Sequence, residues 1–246
     1  MKKNCRNIRI FVNNRLSCGQ EVILDPQQSH YLCNVMRCES GAAVKVFNDC
    51  DGEFAAKIKC ANKKQTIVAP YEQLRQQEEK NDLWLLFAPL KKDKTDFVIE
   101  KATELGCRKI IPTITKYTIT SNVKTSRYIA QSIEAAEQCR RTDIPEITEA
   151  INIKELLQNW DNQRTLFFMD ETLESKNFLQ TLKENPTEKS AILVGPEGGF
   201  SEDELSLLRN LPFCKGATLG PRILRAETAA TSALSCWQLI SGDWSK

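Results

Sequence analysis

Short strand-like segments fill the first third of the chain. Apolar and polar residues alternate from Glu53 to Cys60, and a period of two predicts a strand with one buried face. An apolar run at 44–47 precedes it, and the intervening Asp51-Gly52 pair is typical of a tight hairpin turn. Asp25-Pro26 predicts the start of one short helix. We therefore expect a small β-rich domain over residues 1–74.

Strands and helices alternate in the rest of the chain, beyond a polar run at 75–81. This order predicts an α/β domain over residues 75–246, with a mostly parallel sheet that carries helices on both faces and binds ligands at the carboxyl ends of its strands. The pattern predicts strands at 83–88, 109–114, 165–169, 191–194 and 217–219, and helices at 95–105, 126–140, 153–160, 175–183, 202–209 and 226–240.

Composition limits the class of protein. No apolar run reaches the roughly 18 residues that a membrane span needs, and the basic N-terminus has no signal-peptide core behind it. We expect a cytoplasmic protein with no membrane partner. The ten cysteines form no CxxC pair and His30 is the single histidine, so we expect reduced, mostly buried thiols and no metal site.

The net charge of +2 is unevenly distributed. Residues 1–74 hold 11 Lys and Arg against 7 Asp and Glu, a net +4, whereas the remainder holds 23 against 25, a net −2. A basic domain of this kind could face nucleic-acid phosphates, although a solvated surface explains the same charge.

Two segments that each follow an apolar strand carry the candidate chemistry. The first is the glycine-rich run at 193–200, in which glycines allow close approach of a ligand to the backbone and Pro196 stiffens the loop. Ser201 and Glu204 then form a predicted capping box. The second is the run at 219–228. Neither fits a dinucleotide-binding or P-loop pattern, and a tight turn without a ligand explains either one alone.

In combination, these two segments resemble the SPOUT superfamily of methyltransferases, and specifically the family that makes N3-methyluridine in 16S ribosomal RNA. Further markers of that family are the segments at 101–106 and 134–141, with Pro112 and Pro145. At the N-terminus, the segment at 9–12 and His30 with 35–37 resemble the family's PUA-like, RNA-binding β-barrel. The resemblance covers essentially the whole chain.

The resemblance implies a SPOUT-type α/β domain with a C-terminal trefoil knot, preceded by a PUA-like barrel, and a homodimer that completes each site. It also implies S-adenosylmethionine as the cofactor, bound by three loops. The implied cofactor-binding residues are Met169, Val194, Gly195, Pro196, Glu197, Gly199, Leu219, Gly220, Ile223, Leu224 and Thr228.

Uracil N3 is an imide nitrogen that is mostly protonated at neutral pH, so the site should remove its proton or stabilise the anion. Arg225 and Arg222 are candidates for stabilising the anion, because guanidinium groups match adjacent carbonyl acceptors. A structural ion pair with Glu227 is the alternative role. Glu197 is a candidate general base, although a glutamate in such a loop could simply order it.

The expected partner is 16S ribosomal RNA within the small ribosomal subunit. Cations near turns are the candidate phosphate contacts, each of which could also be an ordinary surface charge. The candidates are Arg9, His30, Arg37, Lys91, Lys92, Arg140 and Arg141, with Lys94 beside them. Two other interpretations stay open: a related methyltransferase acting on a ribose 2′-hydroxyl or a tRNA base, and a non-catalytic RNA-binding factor for ribosome assembly.

Overall fold

The computed structural model describes residues 5–62, 64–77, 81–120 and 123–245. The chain separates into two compact units. The first contains Met1–Glu79 together with Ala136–Ile144, and the second contains Lys80–Ala135 together with Pro145–Lys246. Nothing in the periodicity of the sequence indicates that the segment Ala136–Ile144 clusters with the N-terminal unit. The predicted functional domains, 1–74 and 75–246, stay a prediction.

A five-stranded sheet forms the first unit. Its strands are β1 (Arg9–Phe11), β2 (Val22–Ile23), β3 (Ala43–Asn48), β4 (Gly52–Cys60) and β5 (Ile67–Arg75), in the order β1-β3-β4-β5-β2. The pair β1–β3 is parallel and the other pairs are antiparallel. The predicted hairpin is confirmed, with Asn48 opposite Gly52 and a φ of +85° at that glycine. The alternating pattern predicts one buried face for β4, but the first half of the strand is buried on both faces, and its Glu53 forms ion pairs with Arg9 and Arg75.

Helix α1 (Pro26–His30) begins with the predicted cap. The side chain of Asp25 accepts from the Gln28 backbone N–H and the side chain of Gln28 accepts from the Asp25 N–H, which satisfies two free donors of the first turn. A short π-helical turn, Tyr31–Val35, continues the helix. It places Leu32 in the apolar core of this unit.

The expectation about cysteines is wrong in two respects. Cys5 and Cys38 form a disulfide in the first unit. Of the remaining thiols, only Cys107 and Cys214 are fully buried, whereas Cys18, Cys50, Cys60 and Cys139 are exposed.

The second unit is built on a parallel sheet in the order β12-β10-β11-β6-β7-β8, with β9 paired to β7. Its strands are β6 (Asp82–Phe87), β7 (Lys109–Ile114), β8 (Glu146–Ile147), β9 (Ile151–Asn152), β10 (Thr165–Met169), β11 (Lys189–Val194) and β12 (Cys214–Ala217). The helices after the first unit's sheet are α2 (Lys92–Glu104), α3 (Thr125–Cys139), α4 (Ile153–Gln158), α5 (Phe178–Glu184), α6 (Glu202–Asn210) and α7 (Ala226–Ser241).

Alternate residues of each central strand enter different cores. In β6, Leu85 and Phe87 pack with residues of α2, α3, α5 and α7, whereas Leu86 packs with residues of α4 and α6. The strands β10 and β11 divide in the same way, which explains why their sequences are continuously apolar rather than alternating. The predicted α/β fold, with a parallel sheet covered on both faces after a small β-rich domain, is confirmed.

The predicted helices agree with the structure to within three residues at either end. Helix α5 starts three residues later than predicted. This helix begins at Phe178 behind an Asn177 cap, because the Ser175 hydroxyl donates to Asp170 in the preceding loop. Within the described residues, no helix is both long and apolar enough to cross a membrane, and no group of three or more His, Cys, Asp or Glu side chains could hold a metal ion.

Candidate functional site

Three loops enclose a cavity of about 280 Å³ at the carboxyl end of the parallel sheet. They follow β10, β11 and β12, and β10 lies between the other two strands in the sheet. Because parallel strands all end at the same edge, segments that are distant in sequence meet there. This edge is where the alternating pattern of strands and helices predicts a ligand site.

The loop after β11 has little room for side chains at its glycines. Gly199 has a φ of +70°, and a Cβ at this position would overlap the Glu171 carboxylate, which accepts a 2.8 Å hydrogen bond from the Phe200 N–H. A Cβ at Gly195 would lie 3.0 Å from the Phe200 ring, and one at Gly198 would lie 3.2 Å from the Tyr117 Cβ. The glycines thus allow a compact loop whose backbone borders the cavity.

The capping box at the start of α6 anchors this loop. The Ser201 hydroxyl accepts from the Glu204 N–H, and the Glu204 carboxylate accepts from the Ser201 N–H at 2.9 Å, as predicted. The buried Glu204 also accepts from the Lys116 N–H at 2.8 Å. One carboxylate therefore joins the loop after β7 to the loop after β11.

A buried carboxylate orders the loop after β10. Asp170 accepts hydrogen bonds from the Thr172 N–H and hydroxyl, from the Ser175 hydroxyl at 2.6 Å, and from the Arg209 guanidinium at 3.2 Å. Burial alone would raise the pKa of Asp170, but these donors outweigh it and the pKa lies below its ordinary value. Asp170 therefore stays ionised and holds this wall of the cavity.

The loop after β12 has an exposed tip. Gly220 has a φ of +107°, and Ile223 is 78% exposed. Arg225 takes the N-cap position of α7 without a capping hydrogen bond from its side chain, so its guanidinium is not used to close the helix. Arg222 and Arg225 both line the cavity and are exposed.

The structure brings ten of the eleven predicted cofactor-binding residues to this cavity. The exception is Thr228, which lies on an exposed face of α7 outside the lining. The lining residues that the sequence did not indicate are Asp170, Glu171, Leu173, Ala217, Ala226 and Ala229. Asp170 and Glu171 directly follow a predicted strand at the expected edge of the sheet, and this position was a usable signal.

The three catalytic candidates, Glu197, Arg222 and Arg225, also line the cavity. The expected alternative partner of the arginines, Glu227, instead lies 3.8 Å from the Lys94 ammonium. Lys94, predicted as a phosphate contact, also forms a 2.6 Å ion pair with Glu197.

Two of the predicted RNA contacts need correction. The Arg9 guanidinium is buried, donates to Glu53 and to the backbone carbonyls of Ala136 and Arg141, and lies over the Phe47 ring. Its donors are used inside the first unit. The Arg141 guanidinium forms two 2.8 Å hydrogen bonds to Asp143 and is largely buried. Burial and pairing therefore remove both cations from the set of phosphate contacts.

The other predicted cations lie at the surface. His30, Arg37, Lys91 and Arg140 are exposed, and Arg37 and Arg140 have positive φ angles of 55° and 66°. The side chain of Lys92 lies outside the described residues. Apart from Lys91, Lys92 and Lys94, the predicted RNA contacts belong to the first unit.

Comparison with known families defines the class of protein. Residues 77–238 match the RNA methyltransferase domain family, and residues 24–70 match the RNA methyltransferase PUA domain family. The parallel sheet with its cavity and the N-terminal β-rich unit therefore have the arrangement of an RNA methyltransferase with a PUA domain.

Individual relatives narrow this class. The ribosomal RNA small subunit methyltransferase E of Rickettsia conorii is 36% identical over 94% of this chain and 95% of its own length, and that of the Buchnera aphidicola from Acyrthosiphon pisum is 30% identical over 98% and 97%. The chain belongs to the ribosomal RNA small subunit methyltransferase E family.

Two solved structures share the fold. A methyltransferase of Legionella pneumophila in complex with its bound cofactor SAM has a TM-score of 0.85, with 28% identity and coverage of 97% of this chain and 99% of its own. A ribosomal RNA small subunit methyltransferase E of Neisseria gonorrhoeae, bound to S-adenosyl methionine, also has a TM-score of 0.85, with 26% identity and coverage of 95% and 98%.

Proposed function

We propose that this protein transfers a methyl group from S-adenosylmethionine to N3 of a uracil in 16S ribosomal RNA of the small subunit. The observation that carries the proposal is the cavity at the ends of β10, β11 and β12, which gathers ten residues expected to bind the cofactor and all three candidates for catalysis. Family membership favours ribosomal RNA as the substrate.

The cavity residues fit S-adenosylmethionine. The apolar lining of the cavity, from Met169, Val194, Leu219, Leu224 and Ala229, is suited to the purine and to the aliphatic part of the methionine chain. The backbone of the glycine loop borders the cavity and can form hydrogen bonds with polar atoms of the cofactor. The carboxylates of Glu171 and Glu197 match the positive charge of the cofactor. The bound cofactor would supply an electrophilic methyl group on a sulfonium.

The chain itself must make the uracil nitrogen nucleophilic. We assign the guanidinium groups of Arg225 and Arg222 to the carbonyl oxygens beside N3, where negative charge develops as the proton leaves. Donors placed at developing charge in a site that excludes water lower the barrier most effectively. We assign proton removal to Glu197, a role that typically contributes about 10²- to 10⁴-fold in rate.

RNA binding in this proposal uses the exposed cations of the first unit, His30, Arg37 and Arg140, together with Lys91. A homodimer completes each site, and the reaction takes place in the cytoplasm, where ribosomal subunits are assembled. Thr228 lies outside the cavity lining, so its proposed contact requires S-adenosylmethionine to extend beyond the lining residues.

The proposal is tested by methylation of purified 16S ribosomal RNA and of isolated small subunits, with nucleosides identified by mass spectrometry. We expect 3-methyluridine. R225K should lower kcat about 10²-fold, as removal of an oxyanion donor does, because an ammonium lacks the fork of a guanidinium. Its affinity for S-adenosylmethionine in calorimetry should change little.

Each alternative gives a different product. If the product carries the methyl group on a ribose hydroxyl, or if only transfer RNA is methylated, the acceptor is not uracil N3 of 16S ribosomal RNA. RNA binding without measurable affinity for S-adenosylmethionine would instead establish a non-catalytic RNA-binding factor.

A further inference from the structure

One lysine joins three segments beside the cavity. Lys94 lies in the first turn of α2, and its ammonium is 2.6 Å from Glu197 Oε1 in the loop after β11. The same nitrogen lies 3.8 Å from Glu227 Oε1 in the first turn of α7. All three residues belong to the second unit. Only Glu197 lines the cavity, so Lys94 contacts the site through that carboxylate.

Glu227 makes this arrangement more than a surface ion pair. Its side chain is 16% exposed, and its Oε2 is buried and has no hydrogen-bond partner within the described part of the chain. A buried carboxylate is costly without a compensating cation. Lys94 supplies that charge, and Glu227 in turn holds the lysine between the two carboxylates.

We propose that Lys94 is a positioning residue for methyl transfer, which holds the Glu197 carboxylate in place at the cavity. This inference rests on the proposed function, in which the proton of the uracil N3–H bond passes to Glu197 and the electron pair of that bond stays on N3. Without the Lys94 ammonium, the Glu197 carboxylate would face the Glu227 carboxylate. Repulsion between these two like charges would disorder the Glu197 side chain.

The charges around this cluster favour a role in the reaction rather than in RNA binding. Lys94 contributes one positive charge against two carboxylates, and Arg222 and Arg225 line the same cavity. A lysine already engaged by two carboxylates has little attraction left for a phosphate. Lys94 therefore affects methyl transfer through Glu197 and does not bind the RNA itself.

The test compares K94M with K101M. Lys101 is a matched control on the same helix: it also pairs with two carboxylates, Glu100 and Glu104, and its side chain is 26% exposed against 29% for Lys94. We expect K94M to lower kcat about 10²-fold, at the lower end of the effect of removing a general base. The KM for RNA and the calorimetric Kd for S-adenosylmethionine should stay close to wild type. K101M should match wild type, and K94R should recover part of the lost rate.

A double-mutant cycle with E197Q tests whether the lysine acts through the glutamate. We expect K94M to cause no further loss of kcat in the E197Q background, because residues that act as a unit are not additive. If K94M does not fold, as judged by its melting curve, E227Q replaces it, with a smaller loss of kcat that E197Q should likewise abolish.

Three results would overturn the inference: wild-type kcat in K94M, a loss that multiplies with that of E197Q, or a loss confined to the KM for RNA. The last would make Lys94 a phosphate contact. Failure of the proposed function is a separate result, because wild-type protein would then make no 3-methyluridine at all.

Discussion

At the scale of the residue, Gly199 is constrained twice. Its φ of +70° disfavours any side chain, and a Cβ would overlap Glu171, the residue that accepts from the Phe200 N–H. A non-glycine residue in this conformation costs about 1–3 kcal/mol. We expect G199A to raise the calorimetric Kd for S-adenosylmethionine at least about tenfold, the equivalent of 1.4 kcal/mol.

The control for this substitution is G41A. Gly41 has a similar φ of +86°, but a Cβ there would meet nothing within 4 Å, and the residue lies in the first unit. G41A should therefore carry the backbone strain without any change in cofactor affinity. Equal affinities for G199A and wild type would show that the glycine loop does not hold the cofactor.

Asp170 predicts a dependence of stability on pH. Burial raises its pKa, but the hydrogen bonds from Ser175, Thr172 and Arg209 lower it more, so the folded pKa lies below the unfolded value. The stabilisation is complete above an unfolded pKa of about 3.9 and is lost as pH falls through the folded pKa. We expect D170N to cost about 1.5–3 kcal/mol at pH 7, the usual value of a charged hydrogen bond.

Urea unfolding between pH 7 and pH 3 measures this effect. The difference between wild type and D170N should be constant near neutrality and should shrink below about pH 4. E174Q is the control, because Glu174 pairs with the same Arg209 but is 69% exposed. A D170N difference that is independent of pH down to pH 3 would contradict the assignment of an ionised, hydrogen-bonded Asp170.

At the scale of the element, one buried arginine connects the central strands through hydrogen bonds and an ion pair. Arg164, just before β10, donates to the carbonyls of Asp82 and Ser190 and forms a 2.7 Å ion pair with the Asp82 carboxylate. Its guanidinium also lies 3.7 Å from the centre of the Trp84 ring. The contacts therefore link the start of β10 to β11, its neighbour in the parallel sheet, and to β6, the next strand beyond β11.

We expect R164M to lower the free energy of unfolding by about 3 kcal/mol, since loss of the buried partner leaves the partly buried Asp82 carboxylate with only the exposed Arg108 nearby. R108M provides the comparison, because Arg108 lies 3.9 Å from the same carboxylate but is 55% exposed. An exposed pair contributes about 0–1 kcal/mol. Urea denaturation of both variants measures the difference, and similar losses would refute the special role of Arg164.

Elements were more predictable from the sequence than side-chain environments. The strands β6, β10 and β11 contain continuous apolar runs because both faces of the sheet are covered, and this pattern is visible in the sequence. The burial of Arg9 is not visible in the sequence, because its partners Ala136 and Arg141 lie more than a hundred residues away along the chain. Charge alone could not distinguish this buried cation from the exposed Arg37.

The candidate site follows the same division. The two segments at 193–200 and 219–228 were identified because each follows an apolar strand and strand ends of a parallel sheet converge, and the resemblance added their chemistry. Lys94 was predicted as a phosphate contact and not as a partner of Glu197, since Glu197 and Glu227 come from other segments. Contacts between loops depend on the packing of the whole sheet, and no local pattern reports them.

At the scale of the whole molecule, the exposed apolar residues near the end of α7 predict self-association. The helix contributes Ala226 and Ala229 to the cavity and packs into the core along most of its length, yet Leu239 is 57% exposed and Trp244, just beyond it, is 54% exposed. An interface between two copies of the chain would cover these two side chains. A second copy of the chain is the occupant that the proposed homodimer requires.

We expect sedimentation to give twice the 27.9 kDa mass of the chain. L239K should shift the protein towards a monomer and weaken its affinity for S-adenosylmethionine, because a charge at an apolar interface must be desolvated and the partner copy completes the site. I23K is the matched control: Ile23 is 55% exposed but lies in the first unit, so its substitution should leave the dimer intact. A wild-type monomer at micromolar concentration with full cofactor affinity would show that each chain forms its site alone.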